Sequence, residues 1–166
     1  MFHLTFVSRF AAAFLAFGLL GPVVAHSADG HDAHQITAVM KKQFDRPDAS
    51  LAVDPVTVEG DYAVAGWTQT GKGGRALLQK EHGQWRISVC AGDGLTQAAV
   101  LETTGMHPPM AKKLAAAVLA AESKLSADKR RLFSSFEGMM KIDAGQADRG
   151  QANARGVHSQ HPTPAK

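Results

Sequence analysis

Apolar residues recur at helical spacing in the stretch "ITAVMKKQF", residues 36–44. They form one face, and Lys41 and Lys42 lie on the opposite one. The segment "RPD", residues 46–48, comes one residue later. It is typical of a helix end because the residue before a proline disfavours helical backbone angles. The pattern predicts a helix over about residues 34–45.

The apolar period changes to two over residues 52–92. Val56 and Val58 fall on one side of this alternation, whereas Thr57 and Glu59 fall on the other. The turn-forming stretches "GD", "TGKGG" and "EHGQ" interrupt the alternation and predict three short connections. We therefore expect a four-stranded antiparallel meander.

Alternation also assigns a face to each residue of the last predicted strand, which contains "WRISVC". Trp85, Ile87 and Val89 are expected on one face, and Cys90 on the opposite face with the polar residues. Cys90 is the only cysteine of the chain, so it cannot form an internal disulfide. We expect a reduced thiol that is partly shielded at the strand end.

Helical spacing returns after residue 95 and predicts a C-terminal helical wrap, whose last helix ends near Gly138. Residues 144–166 have too few apolar side chains to offset the entropy of ordering, and we predict a disordered tail there. Residues 35–143 then form a single α+β domain in which the first helix packs on the meander. This plan is that of cystatin-like and nuclear-transport-factor-like folds.

The beginning of the chain has the features of a secretory signal peptide. Arg9 precedes an apolar run over residues 10–20, and "VVA" supplies suitable residues before a cleavage site after Ala25. The run is too short for a typical membrane anchor, although an uncleaved anchor is the alternative. We predict that residues 1–25 are removed, and that the mature chain starts with a His-rich segment, residues 26–34, in the periplasm.

Charge and motifs narrow the function classes. The net charge is +3, and no basic stripe with interleaved aromatic residues accompanies it, so we predict no nucleic-acid partner. The sequence contains neither a serine-hydrolase triad order nor an HExxH zinc motif. We therefore predict a protein that is not an enzyme.

Methionines form two candidate metal sites. The first is Met139-Met140, predicted at the end of the last helix, and the second is Met106, His107 and Met110 in "GMHPPM". Thioether sulfur suits Cu(I). Both groups have a packing alternative, because methionines also fill gaps in apolar cores.

Histidines are concentrated at both ends of the predicted domain, and the candidate ligands among them are His26, His31, His34, His158 and His161. Imidazole suits Cu(II). We interpret these residues as loose arms that collect copper. Their affinity is expected to fall in mild acid, because protonated imidazole cannot bind a metal.

Four motifs carry a resemblance to a known family: "VEGDYAVAGWTQ", "GGRALLQKEHGQW", "VCAGDGL" and "FEGMM". Over about residues 34–143 the chain resembles the small exported bacterial proteins called copper uptake system-associated proteins. The resemblance implies copper as the bound ion and an accessory role beside a membrane copper importer or a periplasmic copper chaperone. It implies no catalysis and no particular ligand set.

Two other functions remain open from the residues alone. One is a periplasmic small-molecule binder whose pocket lies between the first helix and the sheet, lined by Trp67 and Trp85. The other is a protein-interaction module that uses the helical wrap as its contact surface.

Overall fold

A computed structural model of the protein describes residues 28–142. The helices are α1 (Ala28–Phe44), α2 (Ala98–Glu102), α3 (Pro108–Glu122) and α4 (Ala127–Ser134), with a 3₁₀ turn at Asp93–Thr96. The strands are β1 (Ala52–Glu59), β2 (Tyr62–Gln69), β3 (Lys72–Glu81), β4 (Gln84–Ala91) and β5 (Met139–Lys141). The predicted signal peptide and tail, with His26, His158 and His161, lie outside the described residues. Within residues 28–142, no helix combines the length and apolar character that crossing a bilayer requires.

The predicted α+β class is confirmed: an N-terminal helix is followed by an antiparallel sheet and then by helices. The sheet is a meander with the strand order β1-β2-β3-β4-β5. Its first three connections are two-residue turns, and each contains a glycine with positive φ: Gly60, Gly71 and Gly83. The predicted count of four strands is one short, because β5 is only three residues long and shows no period in the sequence.

Helix α1 begins at Ala28, earlier than the pattern predicts, so residues 28–34 are helical rather than a loose arm. A tertiary contact anchors this first part. Lys80 forms an ion pair with Asp32 at 2.8 Å, and Trp85 Nε1 donates a hydrogen bond to the same carboxylate oxygen at 3.0 Å. Since Asp32 and Lys80 are 48 positions apart, local periodicity could not reveal the anchor.

We expect the change Asp32→Ala to destabilise the protein by about 1–3 kcal/mol, because the buried indole N–H of Trp85 loses its acceptor. The hydrogen bond from Lys80 lowers the pKa of Asp32; burial opposes this shift, and the bond from Trp85 supports it. The contribution to stability is therefore present above the ordinary pKa of 3.8 and is lost as pH falls through the lowered folded value.

Urea unfolding at neutral and acidic pH checks this expectation. The matched control is Asp32→Asn, which keeps an acceptor for Trp85 but removes the charge, and it should cost less and remove this pH dependence. A stability of Asp32→Ala equal to that of the wild type would contradict the anchor.

Both faces of the sheet are covered. Helix α1 packs on one face through Ile36 and Met40, and α3 packs on the other through Leu114 and Val118. Helix α4 lies at the end of the sheet and buries Phe133 completely. The chain then returns to the free edge of β4, where β5 pairs.

A β-bulge in β4 changes which residues share a face. Leu77 pairs with Val89 and Leu78 pairs with Ile87, so Ser88 is an extra residue on this strand. Beyond the bulge the alternation is inverted, and Cys90 belongs to the same core cluster as Trp85 and Ile87. The predicted assignment of Cys90 to the opposite face is therefore wrong.

Candidate functional site

Strand β5 carries the methionine pair that the sequence singled out. Helix α4 ends at Ser134, so Met139 and Met140 do not lie at a helix end as predicted. They are 44% and 51% exposed, which also excludes the core-packing alternative. Neighbouring side chains on a strand point to opposite faces, and these two line different pockets. One ion cannot readily be held by both.

Met140 lies opposite Cys90 in the antiparallel register of β4 and β5. Both side chains line a cavity of about 130 Å³ between the end of α1 and the sheet. The remaining wall is almost wholly apolar and includes Phe44, Trp67, Phe136 and Ile142. The structure therefore brings a thiol and a thioether to one small apolar cavity, a pairing that the sequence did not predict.

Cys90 is only 4% exposed, deeper than the partial shielding that we expected. It forms no disulfide. Burial raises the pKa of this thiol to about 11, because an apolar environment disfavours the thiolate. Without a partner the group is a neutral thiol near pH 7, which does not suit a free nucleophile.

Trp67 forms part of the same wall. Its ring meets that of Phe136 edge to face, with centroids 5.9 Å apart. Gly74 leaves room for the indole, since a Cβ at this position would come within 2.8 Å of it. The indole Nε1 is buried, and among residues 28–142 it has no hydrogen-bond partner. Such an atom is rare in a folded protein and marks this wall as unusual.

The small-molecule alternative predicted one pocket lined by both tryptophans, and the structure does not place them in one. Trp67 lines the cavity, whereas Trp85 packs with Ile36 and Met40 in the core cluster and bonds Asp32 near the start of α1. The anchoring of α1 and the lining of the cavity are therefore separate tasks on one face of the sheet.

Met139 lines a second pocket on the other face, with a volume of about 390 Å³. Its walls are more polar and include Gln79, Ser88, Thr103 and Lys141. The hydroxyls of Ser88 and Thr103 already donate to backbone carbonyls, so they offer a ligand their acceptor oxygens. This pocket suits a small polar molecule better than a soft metal ion.

Two of the predicted histidine ligands, His31 and His34, lie on α1 rather than on a loose arm. Both are exposed and three residues apart, so they are neighbours on the helix surface. The ring Nε2 of His31 is 3.1 Å from Nε2 of Gln35. They offer two imidazoles on a rigid support.

The second predicted methionine site is not assembled. Met106 is 3% exposed and belongs to the core under α3. His107 is exposed at the start of that helix, and Met110 is half-buried with its methyl group beside Gly60. The packing alternative therefore holds for Met106 and Met110, and the three side chains do not form one site.

In the part of the chain that the structure describes, no group of three or more His, Cys, Asp or Glu side chains could hold a metal ion. Methionine is not one of these four residue types, and the thioethers of Met139 and Met140 are exposed. Comparison with known protein families, curated proteins and solved structures gave no match for this chain. The geometry and chemistry of the sheet edge are therefore the basis for a functional proposal.

Proposed function

We propose that this protein is a periplasmic accessory protein of copper uptake or homeostasis, which binds copper and hands it to a transporter or chaperone. The observation that carries the proposal is the exposure of the Met140 thioether on edge strand β5, beside the apolar cavity that Cys90 lines. The Met140 side chain is 51% exposed, whereas methionine is usually buried. Exposed thioethers are available to Cu(I), and they are not oxidised to disulfides as thiols are.

The histidines extend the proposal to Cu(II). His31 and His34 are exposed neighbours on α1, and imidazole nitrogen is a suitable donor for the oxidised ion. Two ligands give weak binding, which fits an ion that must be passed on. His26, His158 and His161 can add donors from segments outside the described residues.

Export and partners are part of the same proposal. Export rests on the sequence of residues 1–25, and the copper importer or chaperone rests on the family resemblance. The predicted use of the helical wrap as a docking surface gains little support. Leu119 is the one large apolar side chain of the described wrap that is markedly exposed, and single exposed apolar residues are ordinary.

Native mass spectrometry of the purified chain with Cu(I) and with Cu(II) tests the proposal. We expect both ions to bind the wild type. The change Met140→Leu should remove a Cu(I) ion, and His31→Gln with His34→Gln should weaken Cu(II) binding. These changes keep side-chain size at exposed positions, and Met110→Leu is the control.

The full chain is the right material, because removing residues 26–34 would delete Asp32 and the first turns of α1. A wild-type protein that binds neither Cu(I) nor Cu(II) above the level of a metal-free control protein would refute the proposal.

A second candidate is small-molecule binding in the pocket beside Met139. Its volume of about 390 Å³ lies in the ordinary range for ligand sites, and Lys141 gives it a positive charge. Thermal-shift screening with small organic anions would test this candidate. A shift that Lys141→Gln abolishes and that copper leaves unchanged would favour it over the copper role.

A further inference from the structure

We propose that Cys90 and Met140 together form a Cu(I) site in the apolar cavity, with Trp67 beside the ion. This inference deepens the proposed function and rests on it for the identity of the ion. It differs from a site shared by the adjacent methionines, since Met139 lines the pocket on the opposite face.

The placement of the two sulfur atoms is the first argument. Cys90 and Met140 are direct cross-strand partners, and such partners have Cβ atoms about 4.5–5.5 Å apart. Both side chains line the same cavity. The thioether of Met140 ends a flexible side chain, so it can turn toward an ion that the cysteine sulfur also reaches. The bulge at Ser88 shifts the alternation of side chains along β4 by one residue, and this shift places Cys90 on the face that borders the cavity.

The charge balance of the cavity is the second argument. Among the described residues that line it, none has a charged side chain. When Cu(I) binds, the S–H bond of Cys90 breaks, its proton leaves to solvent, and a sulfur–copper bond forms without electron transfer. The positive ion and the thiolate then make a neutral unit. A divalent ion in the same place would keep one uncompensated charge, which an apolar cavity disfavours.

The third argument is the chemistry of the wall. Thiolate and thioether ligands suit a small set of soft metal ions that includes Cu(I), and the charge balance favours the monovalent one. An indole attracts cations to its face, and a cavity of about 130 Å³ keeps any ion inside it close to Trp67. The volume is too small for most organic ligands, which commonly need more than about 300 Å³. It suits a desolvated ion.

The route of entry is the fourth argument. Cys90 is buried, whereas Met140 is half exposed. An ion arriving from solvent therefore meets the thioether first and the thiol second. An ion that leaves passes from the thiol to the thioether. A partner can take it from there, because the Met140 thioether is neutral and ends a flexible side chain.

The test is a competition titration of the full chain with Cu(I) and a chromophoric Cu(I) chelator under anaerobic, reducing conditions. We expect Met140→Leu and Cys90→Ser each to weaken Cu(I) binding by at least about tenfold. The matched control is Met139→Leu, which changes the adjacent residue of the same strand on the other face, and it should bind as the wild type does. Met140→Leu alters an exposed residue, so it reports on binding even if Cys90→Ser disturbs the core.

The outcomes separate this site from the proposed function. If the wild type binds Cu(I) and all three variants bind it equally, or Met139→Leu loses as much as Met140→Leu, the Cys90–Met140 site is wrong while the copper role stands. If the wild type binds Cu(II) but no Cu(I), the site is likewise wrong. If it binds neither ion, the proposed function itself fails.

Discussion

Replacing Glu122 with alanine is expected to destabilise the protein by about 3–5 kcal/mol, the largest loss we anticipate from a single charge. Glu122 of α3 accepts two hydrogen bonds from Arg75 of β3, each 2.7 Å long, and both side chains are buried. Arg75 also reaches Asp93 at 3.1 Å. Removing Glu122 leaves the buried arginine with one of these three carboxylate contacts, the one to Asp93.

Denaturant unfolding of Glu122→Ala measures this loss. The control is Glu81→Ala, since Glu81 and Arg86 form a pair at 3.4 Å in which both side chains are about half exposed. Exposed pairs contribute about 0–1 kcal/mol, so the control should stay near the wild type. Equal losses in the two variants would show that burial does not set the strength of the pair at Arg75.

The change Phe133→Ala is expected to lower the free energy of unfolding by about 3–5 kcal/mol. Phe133 is completely buried, and its ring fills the space that Gly66 leaves open, where a Cβ would come within 2.6 Å. The guanidinium carbon of Arg75 lies 5.4 Å from the ring centroid. Truncation therefore opens a cavity and removes a cation–π contact at the same point.

Thermal or urea unfolding of Phe133→Ala checks this expectation, with Leu119→Ala as the control because that leucine is 54% exposed on α3. The effect matters for the candidate site, since α4 brings the chain back to the sheet edge before β5 begins. A loss below that of the exposed control would contradict the docking of α4 on β2 and β3.

Local patterns were sufficient for much of the fold. The period of two places the first four strands, and the glycine-containing turns fix their connections, because two-residue hairpins need positive φ. The double proline at residues 108–109 marks the start of α3, and Ser126 accepts a hydrogen bond from the Lys129 N–H at the start of α4. Each of these signals is encoded within a few neighbouring residues.

The candidate site depends on features that local patterns do not contain. The bulge at Ser88 inserts one residue into an apparently regular alternation and moves Cys90 to the other face. Strand β5 exists because the edge of β4 accepts it, and three residues show no period of their own. The early start of α1 depends on Asp32 meeting Lys80 and Trp85 from distant parts of the chain. Contacts between residues far apart in the sequence determine the bulge, strand β5 and the start of α1.

In the proposed Cu(I) site, the arrangement of the two sulfur atoms would combine selectivity with release. A buried thiol in an apolar wall favours a monovalent soft ion, and an exposed thioether on an edge strand keeps the ion within reach of a partner. The imidazoles of His31 and His34 lie on the exposed surface of α1, whose last residue, Phe44, lines the cavity. The helix thus carries the proposed Cu(II) ligands and also forms part of the Cu(I) cavity.

The most direct measurement of the central claim is copper K-edge X-ray absorption on the full chain loaded with one equivalent of Cu(I). The Cys90–Met140 site predicts an edge typical of Cu(I) and at least two sulfur scatterers in the wild type. It also predicts the loss of a sulfur scatterer in Met140→Leu and none in Met139→Leu. A first shell of nitrogen or oxygen alone in the wild type, or a spectrum that Met140→Leu leaves unchanged, would contradict it.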